Sequence, residues 1–168
     1  MRFLVRVSVW ALLMLAGPLS AQDLAPDVRQ QIEQLGSKAM SEALKVIQDR
    51  GAIYPFGMLM DKEQEVRLVG YSGNDNAKPP AEAYVGALMQ QVRDTTAVML
   101  SVEVAAVLRM HSIRNEDGKN VPGVWMLIDH RHGTPLIIFQ PLIPGDKPNH
   151  YSLGPQLFEA SSQPLFNH

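Results

Sequence analysis

Cysteine is absent from the chain. That absence excludes disulfides, thiolate chemistry and a lipid-modified N-terminal cysteine, so the fold must rest on its apolar core. The common nucleophile and metalloprotease signatures, G-x-S-x-G, S-x-x-K and H-E-x-x-H, are missing from residues 22–168, as are phosphate-cradling glycine loops. No run of basic residues occurs, which argues against nucleic acid or an anionic membrane surface as a partner. No apolar run reaches the ~20 residues that span a bilayer.

The N-terminus carries the one long apolar run there is. Arg2 and Arg6 precede Val7–Ala16, broken by Ser8, and Gly17-Pro18-Leu19-Ser20-Ala21 follows as a mostly small-residue exit. This order is that of a secretory signal peptide over residues 1–21, cleaved after Ala21. Loss of Arg2 and Arg6 leaves 13 Lys and Arg against 17 Asp and Glu, a formal charge of −4. An exported, cysteine-free, mildly acidic chain fits a bacterial periplasm, with no membrane attachment after cleavage.

What the chain does have is one stretch of unbroken alternation. From Val98 to Met110 every even position is apolar: Val98, Leu100, Val102, Val104, Ala106, Leu108, Met110. Side chains alternate faces along a strand, so this reads as one apolar face carried for the length of the sheet's longest strand. Before it, Val28, Ile32, Leu35, Ala39, Ala43 and Ile47 recur at helical spacing between Pro26 and Arg50, with Gly51 as a stop. AIYPFGMLM and EVRLVGY around DKEQ form a hairpin whose first strand is an edge or bent, given Pro55 and Gly57. A second helix follows over Pro80–Thr95, after the loop SGNDNAKPP. Beyond the long strand, Asp117-Gly118 marks a hairpin turn, and VWMLID and PLIIFQPL flank the tight connection HRHGT.

The expected fold is therefore α+β in the order α-β-β-α-β-β-β. A mainly antiparallel five-stranded sheet carries both helices packed on one face. One domain covers residues 22–143, and residues 144–168 form an irregular tail that packs on it. The order and lengths over Pro26–Leu142 resemble those of Roadblock and profilin-like domains, which implies a five-stranded antiparallel sheet flanked by helices. YPFG before a short acidic hairpin, and DHRHG between two apolar strands, resemble a group of exported bacterial proteins. No activity comes with that likeness.

The last two strands are apolar on both parities: Val124, Met126, Ile128 beside Trp125, Leu127, then Leu136, Ile138 beside Ile137, Phe139. Continuous apolar strands are buried on both faces. Two helices on one face leave the other needing cover from the tail through Leu157 and Phe158, from a second copy, or from another exported protein. Arg109, His111, Trp125, Leu127 and Phe139 are the candidate partner-binding residues of that second face. Tyr54 and Phe56, either side of Pro55, are candidates for a ligand cleft between helix and sheet.

Asp129, His130 and His132 are of metal-ligand type, and on a regular strand the two imidazoles would point the same way. The same residues also read as an exposed hairpin turn closed by Gly133, and His111, His150 and His168 stand at no helpful spacing to complete a site. No metal, cofactor or catalytic residue is assigned. Export without a catalytic constellation, with strands wanting more cover, points to a non-enzymatic periplasmic protein-binding module of inhibitor, immunity or envelope-accessory type. The alternatives are a small-ligand-binding protein and, behind it, a metal-dependent hydrolase at Asp129, His130 and His132.

Overall fold

The computed structural model describes residues 24–167. The proposed signal peptide lies outside the described residues. Helix α1 occupies Pro26–Arg50. Proline in its first turn has no N–H to lose, Asp27 meets the positive end of the dipole, and Arg50 meets the negative end. It stops at Gly51, whose φ of 81° is left-handed and whose N–H donates to Ile47 O at 2.7 Å.

Strands β1 (Phe56–Asp61) and β2 (Val66–Val69) form an antiparallel hairpin, its turn held by Asp61 Oδ1 accepting from the N–H groups of Glu63 and Glu65. Helix α2 runs Ala81–Val98 and leads into β3, Val102–Arg114. The long strand thus begins four residues later than the alternation suggests. Val98 ends the helix and Leu100 lies in the connection, both exposed. Helical N–H groups already committed inside α2 hold Val98 where periodicity alone would make it a strand residue. Strands β4 (Asn120–His130) and β5 (Leu136–Pro144) complete a meander, β4 taking in Pro122, Gly123 and His130.

The sheet has seven strands, not five, in the order β2-β1-β3-β4-β5-β6, every pairing antiparallel. The two extra strands come from the tail. β6 (Tyr151–Leu153) pairs with Leu142–Pro144, and β7 (Leu157–Ala160) pairs with Leu136–Phe139, so both line the outer edge of β5. Donors and acceptors on that edge would otherwise be left open, and two short strands close it.

The helices lie on opposite faces of the sheet, which corrects the expectation that they share one. Val28, Leu35, Ala39 and Ile47 of α1 pack with the even set Met58, Ala106, Leu108, Met126 and Ile128. Tyr84, Leu88 and Val92 of α2 pack with the odd set Leu59, Ala105, Val107 and Leu127. The reason is the one the strands themselves give: both parities are apolar, and each takes one amphipathic helix. Leu165 and Phe166 finish the α2 side, buried beside Leu127, whereas Leu157 and Phe158 are exposed. Cover of the second face therefore comes from α2 and the last residues of the tail. Helix α1 packs mainly over β1, β3 and β4 and α2 over β1 and β3, and the wing formed by β5, β6 and β7 extends beyond them.

Candidate functional site

The segment Asp129–His132, where metal chemistry was sought, is a clasp. Asp129 is buried at the end of β4 on the α2 face, and its Oδ2 accepts from Leu165 N at 2.7 Å and Phe166 N at 3.3 Å. From α2, the Thr96 hydroxyl donates to Leu165 O at 2.6 Å and Arg93 Nε to Pro164 O at 2.8 Å. Arg131 donates from Nε to Val102 O at 2.8 Å and from Nη2 to Thr96 O and Met99 O at 3.1 and 3.2 Å. A cation thus sits on the carbonyl end of α2, with its guanidinium 4.9 Å from the centre of the Phe166 ring.

His130 faces the other way. It is buried on the α1 side, with Nε2 2.6 Å from Gln31 Oε1 and Nδ1 accepting from His132 N at 3.0 Å. The backbone donor at Nδ1 places the proton on Nε2, which donates to Gln31. Burial pulls the imidazole below its ordinary pKa, and His132 lowers it further, against the opposing charges of Glu103, Asp129 and Asp27. His132 is exposed, its Nε2 3.7 Å from Glu103 Oε2. Asp129 and His130 therefore lie on opposite faces and do not share a coordination centre. Among the described residues no three His, Asp or Glu side chains converge as metal ligands. The hairpin turn is formed at Arg131–Gly133, closed by Gly133 N donating to His130 O at 2.9 Å, but Asp129 and His130 before it are buried at the end of β4 rather than exposed.

Arg109, Trp125 and Phe139 of the partner-binding candidates fall into one cross-strand row on the α2 face, with His111 and Leu127 to either side of it. Register places Arg109 opposite Trp125, Trp125 opposite Phe139 and Phe139 opposite Leu157. The Arg109 guanidinium lies 4.8 Å from the Trp125 ring centre, and His111 meets Phe139 edge-on at 6.3 Å. Arg109 Nε is buried with no hydrogen-bond partner among the described residues. Burial and the neighbouring Arg109 charge lower the His111 pKa, opposed by Glu82. Arg109, His111 and Trp125 are partly open, Phe139 is covered, and Leu127 is fully buried one pair further along the strand. Beside the row lies a cavity of about 440 Å³ between α2 and the end of β7.

Tyr54 and Phe56 part company. Tyr54 stacks on Tyr84 at 5.2 Å and meets Tyr71 edge-on, with the Lys78 ammonium 4.0 Å over its ring. Phe56, two residues on, packs with the α1 core. They form no common cleft.

The larger opening is one that the residue patterns did not single out. Between α1 and the wing runs a groove of about 840 Å³. Its floor is apolar, with Ile32, Met40, Met126, Leu136 and Ile138, and Leu153 and Phe158 stand along its outer wall, 52% and 64% exposed. Ser37, Ser41, Gln48 and Gln156 line its rim together with the charged Arg29, Glu33 and Lys45. Met40 and Leu44, which widen the α1 stripe beyond the width a sheet contact needs, were the available signal.

An α+β domain whose antiparallel sheet carries one helix on each face is the class that this geometry defines. No known protein family, curated protein or solved structure matches the chain.

Proposed function

We propose that this is an exported, periplasmic, non-enzymatic protein-binding module that takes an extended apolar segment of a partner protein into the groove between α1 and the wing. The observation that carries the reading is the groove's make-up: an apolar floor beneath a polar rim that mixes hydroxyls and amides with Arg29, Glu33 and Lys45. Alternate side chains of an extended segment would enter the floor while its backbone pairs with Ser37, Ser41, Gln48 and Gln156. From Arg29 to Gln48 the helix side of the groove runs about 28 Å at 1.5 Å per residue. An extended segment of about eight residues covers that length.

The same floor favours a second reading, a small amphiphile such as a fatty acid, whose carboxylate would meet the Lys45 ammonium on the rim. Selection of displayed random octapeptides on the full chain separates the two. The expected result is enrichment of alternating apolar peptides whose binding is lost in Phe158→Asp and Ser41→Arg. Failure to enrich any peptide, with saturable binding of dodecanoate lost in the same variants, replaces the first reading by the second. Peptide binding that survives both substitutions removes the groove from the account.

A further inference from the structure

We infer that the cavity between α2 and the end of β7 binds a small zwitterion, an apolar amino acid or dipeptide, whose carboxylate meets Arg109 and whose ammonium meets Glu159. This goes beyond the groove reading and uses the opposite face. Arg109 carries the first half. Its guanidinium lies 4.8 Å from the Trp125 ring centre, and its Nε is buried. Among the described residues it makes no hydrogen bond and no ion pair. A cation partly drawn out of water without a counter-charge is costly, and a guanidinium stacked on a ring keeps its in-plane N–H groups free for a carboxylate.

Glu159 carries the second half. It stands in register with Ile137 on the α2 face, three strands from Arg109 in the order β3-β4-β5-β7, while Arg109 shares its own row with Leu157. Three strand spacings with a two-residue offset put the two Cα atoms roughly 16 Å apart. The opposite charges are thus held apart across one cavity instead of being spent on each other. The cavity's other carboxylate, Glu82, is accounted for in the first turn of α2, where the helix dipole and His111 act on it. Val85, Met89 and Ile137 give the space between the charges an apolar lining. Gly86 keeps that space open, for it lines the cavity from inside α2 and a Cβ there would meet nothing within 4 Å. Glycine inside a helix costs stability, and no packing contact of this chain asks for it here, whereas a ligand lying against the helix would.

Isothermal titration calorimetry of the full chain with L-leucine and with L-leucyl-L-leucine tests this and decides between amino acid and dipeptide. The expected result is saturable binding of one or both. Binding is expected to be at least tenfold weaker without the ammonium, in 4-methylpentanoate and 4-methylpentanoyl-L-leucine. The same loss is expected with the carboxylate amidated, in L-leucinamide and L-leucyl-L-leucinamide. Arg109→Gln is expected to weaken binding at least tenfold, and in Glu159→Gln the preference for the zwitterion over the acid disappears. Gly86→Met separates the site from the fold, because the new side chain favours the helix and fills the cavity. That variant is expected to keep a Tm at or above that of wild type and to bind neither probe. No saturation by either zwitterion at millimolar concentration overturns the inference. Equal binding of 4-methylpentanoate by wild type makes the cavity an anion site and overturns it too, as does binding that survives Gly86→Met.

Discussion

Asp129 and Leu165 stand 36 positions apart in the sequence and 2.7 Å apart at carboxylate and amide. The bond ties the far part of the tail to the end of β4, in a place from which water is excluded. A charged acceptor in such a place is worth about 2 kcal/mol per amide, and its loss leaves the donors unpaired. Asp129→Ala is therefore expected to destabilise the chain by about 3 kcal/mol in urea unfolding. Faster amide exchange at Leu165 and Phe166, ahead of the rest of the sheet, is the accompanying signature. Unchanged exchange at those two amides would count against the clasp.

Where local chemistry decides the structure, the residues announce it. Pro26, Asp27, Arg50 and Gly51 bound α1, and the polar DKEQ turn sets the first hairpin. Period two in 102–110 marks β3, but Val98 and Leu100 share that period while belonging to a helix end and its exit, because the backbone bonds of α2 take precedence. The placement of the helices on opposite faces was implicit in the double apolar parity of β4 and β5, read as a missing partner when it was the second helix. The clasp was beyond local reading. Asp129, Thr96, Arg93 and Leu165 are brought together by tertiary placement, and Asp129 in DHRHG looks like a turn acid until the tail folds over it.

Arg131 offers a test of geometry apart from charge. Its fork reaches three carbonyls, Val102 O, Thr96 O and Met99 O, from two nitrogens. Lysine keeps the charge at the helix end and loses the fork. Arg131→Lys is expected to cost about 1–2 kcal/mol, and Arg131→Ala more, since the alanine chain also uncovers Phe166. Thermal unfolding of the two variants beside wild type reads the difference. Equal stability of Arg131→Lys and wild type would reduce the role of Arg131 to charge.

His130 makes stability depend on pH with a fixed sign. Its folded pKa lies below the unfolded one because burial and His132 disfavour the imidazolium more than Glu103, Asp129 and Asp27 favour it. The unfolded chain therefore binds the proton first as pH falls. Stability from the neutral ring is complete above about pH 6.5, the unfolded value, and is lost below it until the folded group itself titrates. His130→Asn keeps an acceptor for His132 N and has nothing to titrate. Stability of that variant is expected to fall less steeply between neutral pH and about pH 5 than that of wild type, by denaturant titration at each pH. Parallel curves would assign the acid sensitivity elsewhere.

Two apolar residues of the tail separate what holds the fold from what faces outward. Leu165 is fully buried among Leu127, Val92 and their neighbours, while Phe158, seven positions earlier, is 64% exposed on the groove wall. Leu165→Ala removes buried methyl groups and leaves a cavity, so about 3 kcal/mol of stability is expected to go. Phe158→Ala removes contacts made mostly with solvent, and its effect on unfolding is expected to stay within about 0.5 kcal/mol. Peptide binding in the groove should respond in the reverse order, reduced at least tenfold by Phe158→Ala and unchanged by Leu165→Ala in the folded population. An exposed aromatic that contributes little to folding and much to binding is what a recognition surface requires. If Phe158→Ala costs as much stability as Leu165→Ala and leaves binding intact, the wing is a structural edge and the groove has no occupant of this kind.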